Sequence, residues 1–270
     1  MLSLTPNAIK LLDWYEDGQD TRHFTFQLMQ PEVMSSTQPG QFFMLHVPGV
    51  GEAPFTFTQL PDSQGQFRAL VKNVGSVTSG LFGCERGARL GARGPFGRGW
   101  PIEKFQNKRV LIIAGGCGLA PLVSLTNALL DEGQCQQLAL IYGAASTNTQ
   151  MLNPERARWR DQMAVLNVIE HQDAQTNDLV GNPVDVVDQV LGELEQMPEV
   201  LLLCGPEKMM TRAAESLIER GLPSSSIWLS IERRMHCAVG LCGHCYVDHQ
   251  YACKDGPTYR WDKLQALTRL

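Results

Sequence analysis

The sequence predicts a β plus α/β protein: an N-terminal antiparallel β-barrel, a C-terminal parallel-sheet domain, and a small cysteine-bearing module after it. Three observations predict this. The first hundred residues break into short β-rich runs between Pro/Gly turns. From Arg109 onward, continuous apolar runs alternate with helical stretches. Four of the eight cysteines then crowd between Cys237 and Cys253.

The barrel is read from Thr21 to Leu28 (TRHFTFQL), Gln41 to Val47 (QFFMLHV) and Gln66 to Lys72 (QFRALVK). All three are rich in the β-branched and aromatic types that fit a pleated, half-buried surface. Gln38-Pro39-Gly40, Pro48-Gly49, Pro61-Asp62-Ser63 and Gly94-Pro95 punctuate them as turns. Short strands at this spacing predict a small antiparallel barrel.

The character changes near Asn107. Arg109 to Ala114 (RVLIIA), Leu138 to Gly143 (LALIYG), Val165 to Ile169 and Val200 to Cys204 (VLLLC) are apolar without alternation. That pattern marks strands buried on both faces. Helical candidates lie between them at Ala120 to Leu130, Pro154 to Gln162, Val184 to Leu194 and Pro206 to Arg220, giving the β–α alternation of a parallel sheet. The expected divisions are 1–103 for the barrel, 104–229 for the α/β domain and 230–270 for the cysteine module, which ends in a helix candidate from Trp261 to Leu267.

With 43% apolar residues, 19% charged residues and a formal net charge of −5, the chain has an ordinary globular composition. Nothing in it suggests a nucleic-acid surface, which needs a basic face. Its first residues lack a basic segment followed by an apolar run, so no signal peptide is expected. The longest apolar stretch, Val110 to Val123, is broken by Gly115, Gly116, Gly118 and Pro121 and is too short to span a bilayer. A cytoplasmic location is expected, with any membrane attachment made through partners.

Cys237, Cys242, Cys245 and Cys253 have the spacing C-x4-C-x2-C with a fourth cysteine downstream, the plant-type [2Fe–2S] ligand pattern. Two irons need four thiolates converging from a tight loop, and Gly240 and Gly243 permit the backbone angles. The residues between Cys245 and Cys253 suit a small hairpin that returns the fourth thiolate. A structural zinc site is the bland alternative, although zinc ribbons favour paired C-x2-C knuckles. A disulfide framework is the other. His244 stands beside two cysteines and is read as supporting the loop rather than as a ligand.

Two further segments carry nucleotide chemistry. Gly115, Gly116, Gly118, Leu119, Ala120 and Pro121 follow the first parallel strand and open a helix, where backbone N–H groups can approach a pyrophosphate. The spacing is not the strict dinucleotide fingerprint, and a plain tight turn is the alternative. Cys204, Gly205, Pro206 and Met209 end a later strand, on the edge where open α/β sheets bind ligands. Cys204 can face a nicotinamide ring; a buried small hydrophobe is the bland reading of such a cysteine.

Taken in order, Gly91-Ala-Arg-Gly-Pro-Phe-Gly97, Ala114-Gly-Gly-Cys-Gly-Leu-Ala-Pro121, Cys204-Gly-Pro206 and Ser230-Ile-Glu-Arg-Arg-Met-His-Cys237 resemble the ferredoxin–NADP reductase superfamily. Over nearly its whole length the chain is similar to the FAD- and [2Fe–2S]-containing electron-transfer subunits of NiFe (sulf)hydrogenase (gamma), anaerobic sulfite reductase (B) and dihydroorotate dehydrogenase. The resemblance implies FAD between the flavin barrel and a nucleotide domain that takes NAD or NADP. It matches the R-x-Y-[ST] flavin motif to Ala53, Pro54, Phe55 and Thr56, with Thr56 as the polar contact at the isoalloxazine and Ala53 in place of the usual arginine. It matches a second flavin segment to Val71, Lys72 and Asn73, with Gly75, Val77 and Thr78. Lys72 or Arg93 is then expected to replace the missing positive charge, the alternative being that both solvate the barrel rim.

The resemblance further implies electron flow between NAD(P)H, flavin and cluster, to or from a partner catalytic subunit, with an additional iron–sulfur subunit as a further partner. Arg233, Arg234 and His236 either tune the cluster or belong to solvated surface. Hydrogenase and sulfite reductase partners are expected ahead of the dihydroorotate type, because the insert before Cys253 is short and position 53 is not basic. A stand-alone reductase acting on a ferredoxin, and a non-catalytic scaffold with a structural metal, are the competing readings. Ala144 to Thr149 holds no arginine for a 2′-phosphate, which favours NAD; Arg156, Arg158 and Arg160 nearby are the residues that would reverse this.

Overall fold

A computed structural model of the chain describes residues 4–131, 135–171, 176, 178–194 and 196–264. It divides into two compact units, Met1–Trp100 with Arg233–Pro257, and Pro101–Glu232 with Thr258–Leu270. The cysteine-bearing segment therefore groups with the first unit, while the chain beyond it returns to the second.

In the first unit, β1 (Asn7–Glu16), β2 (Thr21–Leu28), β3 (Phe42–Val47), β4 (Gly51–Thr56), β5 (Gln66–Lys72) and β6 (Arg89–Phe96) form one antiparallel sheet. Its order is β4-β3-β6-β1-β2-β5. Just past β4, the Thr58 N–H donates to Arg68 O (2.9 Å) and the Arg68 N–H to Gln59 O (3.1 Å), which brings the chain leaving one edge strand onto the other. Phe24, Phe26, Phe43, Phe57 and Phe67 fill the interior. The Phe43 ring lies 4.8 Å from Phe57 and 5.1 Å from Phe67, within the range of favourable aromatic pairs. The short helix α1 (Ser76–Phe82) follows β5.

β1 and β6 carry no strand signal in the sequence, for physical reasons. The β1–β2 register shifts between Leu11 and Asp13, and a bulge inverts the in/out alternation by which strands are recognised. β6 reads RLGARGPF, and its Gly and Pro residues are the usual marks of a turn.

The second unit has a seven-stranded sheet. Its strands are β7 (Arg109–Gly115), β8 (Gln137–Ala144), β9 (Ala164–Ile169), β10 (Leu179–Val180), β11 (Val200–Cys204), β12 (Ile227–Ser230) and, after the β13 (Tyr246–Val247) and β14 (Gln250–Tyr251) hairpin of the first unit, β15 (Thr258–Arg260). The order is β10-β9-β8-β7-β11-β12-β15, all parallel except β15 against β12. Helices α2 (Ala120–Asp131), α3 (Asn153–Trp159), α4 (Val187–Glu193) and α5 (Glu207–Glu219) alternate with these strands. α5 buries Met209, Met210, Ala213, Ala214 and Leu217, the three-and-four spacing of one helical face. The last short helix, α6 (Ala252–Asp255), carries Cys253 in the first unit.

Of the expected terminal helix, Trp261–Lys263 forms a 3-10 turn capped by Leu264; residues 265–267 of that candidate lie outside the described residues. Among the described residues no helix is long and apolar enough to cross a membrane.

Candidate functional site

The cysteine loop is built by left-handed backbone. Ala238 (φ 63°), Gly240 (φ 76°) and Gly243 (φ 79°) turn it back on itself, which aims successive N–H groups inward in the manner of an anion-binding nest. Those of Val239, Leu241 and Cys242 point to Cys237 Sγ at 3.4, 3.3 and 3.4 Å, and that of Gly240 to Cys253 Sγ at 3.2 Å. The β13–β14 hairpin pairs Tyr246 with Tyr251 and Val247 with Gln250, and so returns Cys253 to Cys245.

Cys245 and Cys253 are each 1% exposed, whereas Cys242 lies at the surface. The backbone N–H of His244, followed by that of Cys237, lowers the Cys242 thiol to about 7. Burial, followed by the neighbouring Cys245, pushes Cys253 up to about 12. The thiols act on one another chiefly two and two: Cys237 helps lower Cys242, and Cys245 helps raise Cys253. No three of them, among the described residues, lie within 4.8 Å of one another. A single tetrahedral zinc would draw all four sulfurs to roughly 3.8 Å of each other, given Zn–S bonds of about 2.3 Å. Two pairs supplied with N–H donors fit a two-iron cluster instead. The His236 and His244 rings meet edge to face at 4.4 Å.

In the second unit, the chain leaves central β7 for β8 on one side and later returns to β11 on the other. The switch point therefore lies between β7 and β11, where open sheets bind ligands beyond the carboxyl ends of their strands. Gly115, Gly116, Gly118 and Leu119 form the turn after β7; Ala120 and Pro121 begin α2. Cys204, Gly205, Pro206 and Met209 form the neighbouring β11–α5 junction. The two segments touch. A Cβ on Gly118 would stand 2.5 Å from Cys204 O, and one on Gly115 would stand 3.0 Å from both Met209 Sδ and Pro206 Cδ. The backbones can approach this closely only because these positions are glycine. Cys204 is fully buried. Burial, then the Glu232 carboxylate, raises its thiol far above the usual range, so it is a neutral thiol.

Of the candidates for a 2′-phosphate, Arg156 is buried and donates to Met151 O, Gln150 Oε1, Asn153 Oδ1 and Asn167 Oδ1. Arg158 donates to Asn127 Oδ1 at 2.7 Å. Arg160 is exposed at the end of α3.

In the first unit, Pro54, Phe55 and Thr56 end edge strand β4. Thr56 Oγ1 donates to Gln41 O at 3.1 Å, leaving its lone pairs free to accept. Val71 and Lys72 end β5. The Asn73 N–H donates to Asp20 O (2.7 Å), and Asn73 Oδ1 accepts from Ser79 Oγ (2.9 Å). Thr78 Oγ1 accepts the N–H groups of Val74 and Gly75. Val77 is the nearest side chain to the missing Cβ of Gly51, at 3.5 Å, so α1 and β4 are neighbours.

Arg93 does not behave as a free phosphate-binding cation. It is 4% exposed. Its Nε donates to Glu52 Oε1 (3.0 Å), its Nη2 to Glu52 Oε2 (2.6 Å) and its Nη1 to Cys237 O (3.2 Å). A buried guanidinium must be paired, and this one is committed to Glu52. The Glu52–Arg93 pair escapes sequence reasoning because no local motif signals a partner 41 residues away, and the Arg156 network because its partners, though within 11 residues, form no recognisable motif.

Three family models match the chain: the oxidoreductase FAD-binding domain over residues 9–100, the oxidoreductase NAD-binding domain over 112–215, and the iron–sulfur cluster binding domain of dihydroorotate dehydrogenase B over 232–265. The chain is 30% identical to sulfhydrogenase 1 subunit gamma of Pyrococcus furiosus, over 94% of this chain and 90% of that one. It is 33% identical to the probable dihydroorotate dehydrogenase B (NAD(+)) electron transfer subunit of Pyrococcus abyssi, over 95% and 91%. Its fold matches a chain of the NADH-dependent reduced ferredoxin–NADP oxidoreductase with a TM-score of 0.76 at 24% identity, covering 100% of this chain and 95% of that chain.

Proposed function

Because the chain belongs to the ferredoxin–NADP reductase-like flavoproteins that carry an iron–sulfur module of the dihydroorotate dehydrogenase B type, we propose that it carries electrons between NADH and a hydrogenase-type catalytic subunit. It is a flavin-dependent nicotinamide oxidoreductase with FAD-, NAD- and iron–sulfur-binding domains. Bound flavin supplies the exchange between hydride, which carries two electrons, and the single electrons of a cluster. What carries the reading is that binding domains for all three redox groups follow one another along one chain.

The chain's own residues bind and orient these groups. Residues 1–103 form the flavin part, with the six strands curled into a barrel; 104–229 form the nucleotide part and 230–270 the cluster part. Pro54, Phe55 and Thr56 present an apolar face and a hydroxyl acceptor to the flavin ring, with Thr78 and the α1 turn beside them. Lys72, which makes no ion pair among the described residues, is the cation left for the flavin phosphates now that Arg93 is committed. Gly115, Gly116 and Gly118 offer backbone N–H groups to the dinucleotide phosphates. The neutral Cys204 thiol packs at the nicotinamide end. With Arg156 and Arg158 engaged elsewhere and Arg160 exposed at the end of α3, the arginine-free stretch Ala144 to Thr149 suits an unphosphorylated ribose, and hence NAD.

The chain works in the cytoplasm, where its thiols stay reduced, within a hetero-oligomer whose further iron–sulfur subunit relays electrons onward. A dihydroorotate-type partner is the second reading, favoured by the module match at 232–265. Purification under anaerobic conditions from the native host tests both. The expected result is a yellow protein with an NADH-reducible paramagnetic cluster signal, accompanied by a hydrogenase subunit. A co-purifying dihydroorotate dehydrogenase would replace the partner assignment, and a colourless protein would overturn the electron-transfer reading.

A further inference from the structure

We infer that Arg93 is the positioning residue of the cluster: it fastens Cys237 to the strand bearing the flavin segment, and so sets the cluster's potential and its coupling to the flavin. The inference rests on the flavin and cluster assignments above. Arg93 stands in the sheet rather than on a loop. It faces Met44 of β3, which in turn faces Pro54 of β4, so the three residues share one level across the sheet. Glu52 on β4 is two residues before Pro54 and grips the guanidinium through both carboxylate oxygens. A guanidinium is a rigid planar fork. Once Glu52 has fixed two of its nitrogens, Nη1 points in one direction only, and there it meets Cys237 O.

The far end of the cysteine segment is held by the same strand. A Cβ on Gly97, the residue after β6, would lie 2.7 Å from both Gly256 O and Pro257 Cδ. Arg98 forms a bridge with Pro257. β6 and its continuation thus clamp both ends of the loop that carries the four thiols, with Arg93, paired to Glu52, supplying the charged contact at Cys237.

The charge has a sign and a direction. Reduction adds a negative charge to a cluster, and a buried cation aimed at its first ligand favours the reduced form. Glu52, on the far side of the guanidinium, opposes it. Replacing the two residues separately therefore shifts the midpoint potential in opposite senses, which a purely structural role does not do.

The test uses the full chain with Arg93→Gln and Glu52→Gln, checked for iron and sulfide content. The measurements are an EPR-monitored redox titration and the ratio of cluster reduction to flavin reduction after mixing with NADH. Arg93→Gln is expected to lower the midpoint, Glu52→Gln to raise it, and both to cut the ratio at least tenfold. Shifts of the same sign, or none, at full iron content overturn the inference. Should Arg93→Gln lose its iron, Arg93→Lys keeps the charge without the fork; an unchanged ratio in that variant overturns the inference equally. A wild-type protein without a reducible cluster would remove the functional reading itself, whereas a reducible wild type with unshifted variants would remove only the role of Arg93.

Discussion

A side chain on Gly118 would reach to 2.5 Å from the carbonyl oxygen of Cys204, a residue 86 positions away in the chain. The turn after β7 and the end of β11 are in contact at the place where the sheet reverses its strand order. Gly118→Ala forces these backbones apart, a change expected to cost about 1–3 kcal/mol of stability by overpacking. NADH affinity should fall at least tenfold, because the N–H groups proposed to face the phosphates move with the turn. NADH titration of the variant measures this; wild-type affinity would show that the dinucleotide binds elsewhere.

The cysteines separate into two chemical classes. Cys253→Ser should abolish the cluster absorbance and paramagnetic signal while flavin stays bound, since Cys253 belongs to one of the two sulfur pairs. Cys204→Ser should retain the cluster. In the native protein at pH 8, iodoacetamide should leave Cys204 unmodified, because a buried neutral thiol is a poor nucleophile. Peptide mass mapping after brief alkylation reads this directly.

His23 gives the first unit a pH dependence of known sign. It is buried between Tyr15 Oη on Nδ1 and Thr58 Oγ1 on Nε2. Asp17 Oδ2, 3.9 Å away, favours the charged ring, but burial, with the Arg68 charge adding to it, prevails and lowers His23 to about 4 from 6.5. Unfolded chains take up a proton at this residue below about pH 6.5, while the native state does so only near pH 4. Stability is therefore lost as the pH falls through that window, by up to about 3 kcal/mol at roughly 1.4 kcal/mol per unit. Urea midpoints at pH 7.5 and 5 should differ in the wild type and converge in His23→Gln. An equal difference in the two proteins would assign the effect to other groups.

Coenzyme choice follows from which arginines are free. With Arg156 held by four oxygens and Arg158 by Asn127, kcat/KM should favour NADH over NADPH at least tenfold. Arg156→Ala should unfold the protein more readily by about 3 kcal/mol, since it strands several buried acceptors, without bringing the two coenzymes closer together. A preference for NADPH would overturn the ribose assignment.

What the sequence determined alone is what spacing encodes locally. The cysteine interval from Cys237 to Cys253, the glycine turn after RVLIIA, and the apolar strands alternating with helices are all readable within windows of about twenty residues. β1 and β6 were not legible, because a bulge and a Gly-Pro pair erase the alternation on which strand recognition depends. Neither were the partners of Arg93 and Arg156. A guanidinium looks the same in sequence whether it faces a phosphate or a buried carboxylate. Only the sheet registers bring Glu52, and only the folding back of the cysteine loop brings Cys237, 41 and 144 residues distant, to one side chain, and burial then requires that this charge be satisfied where it stands.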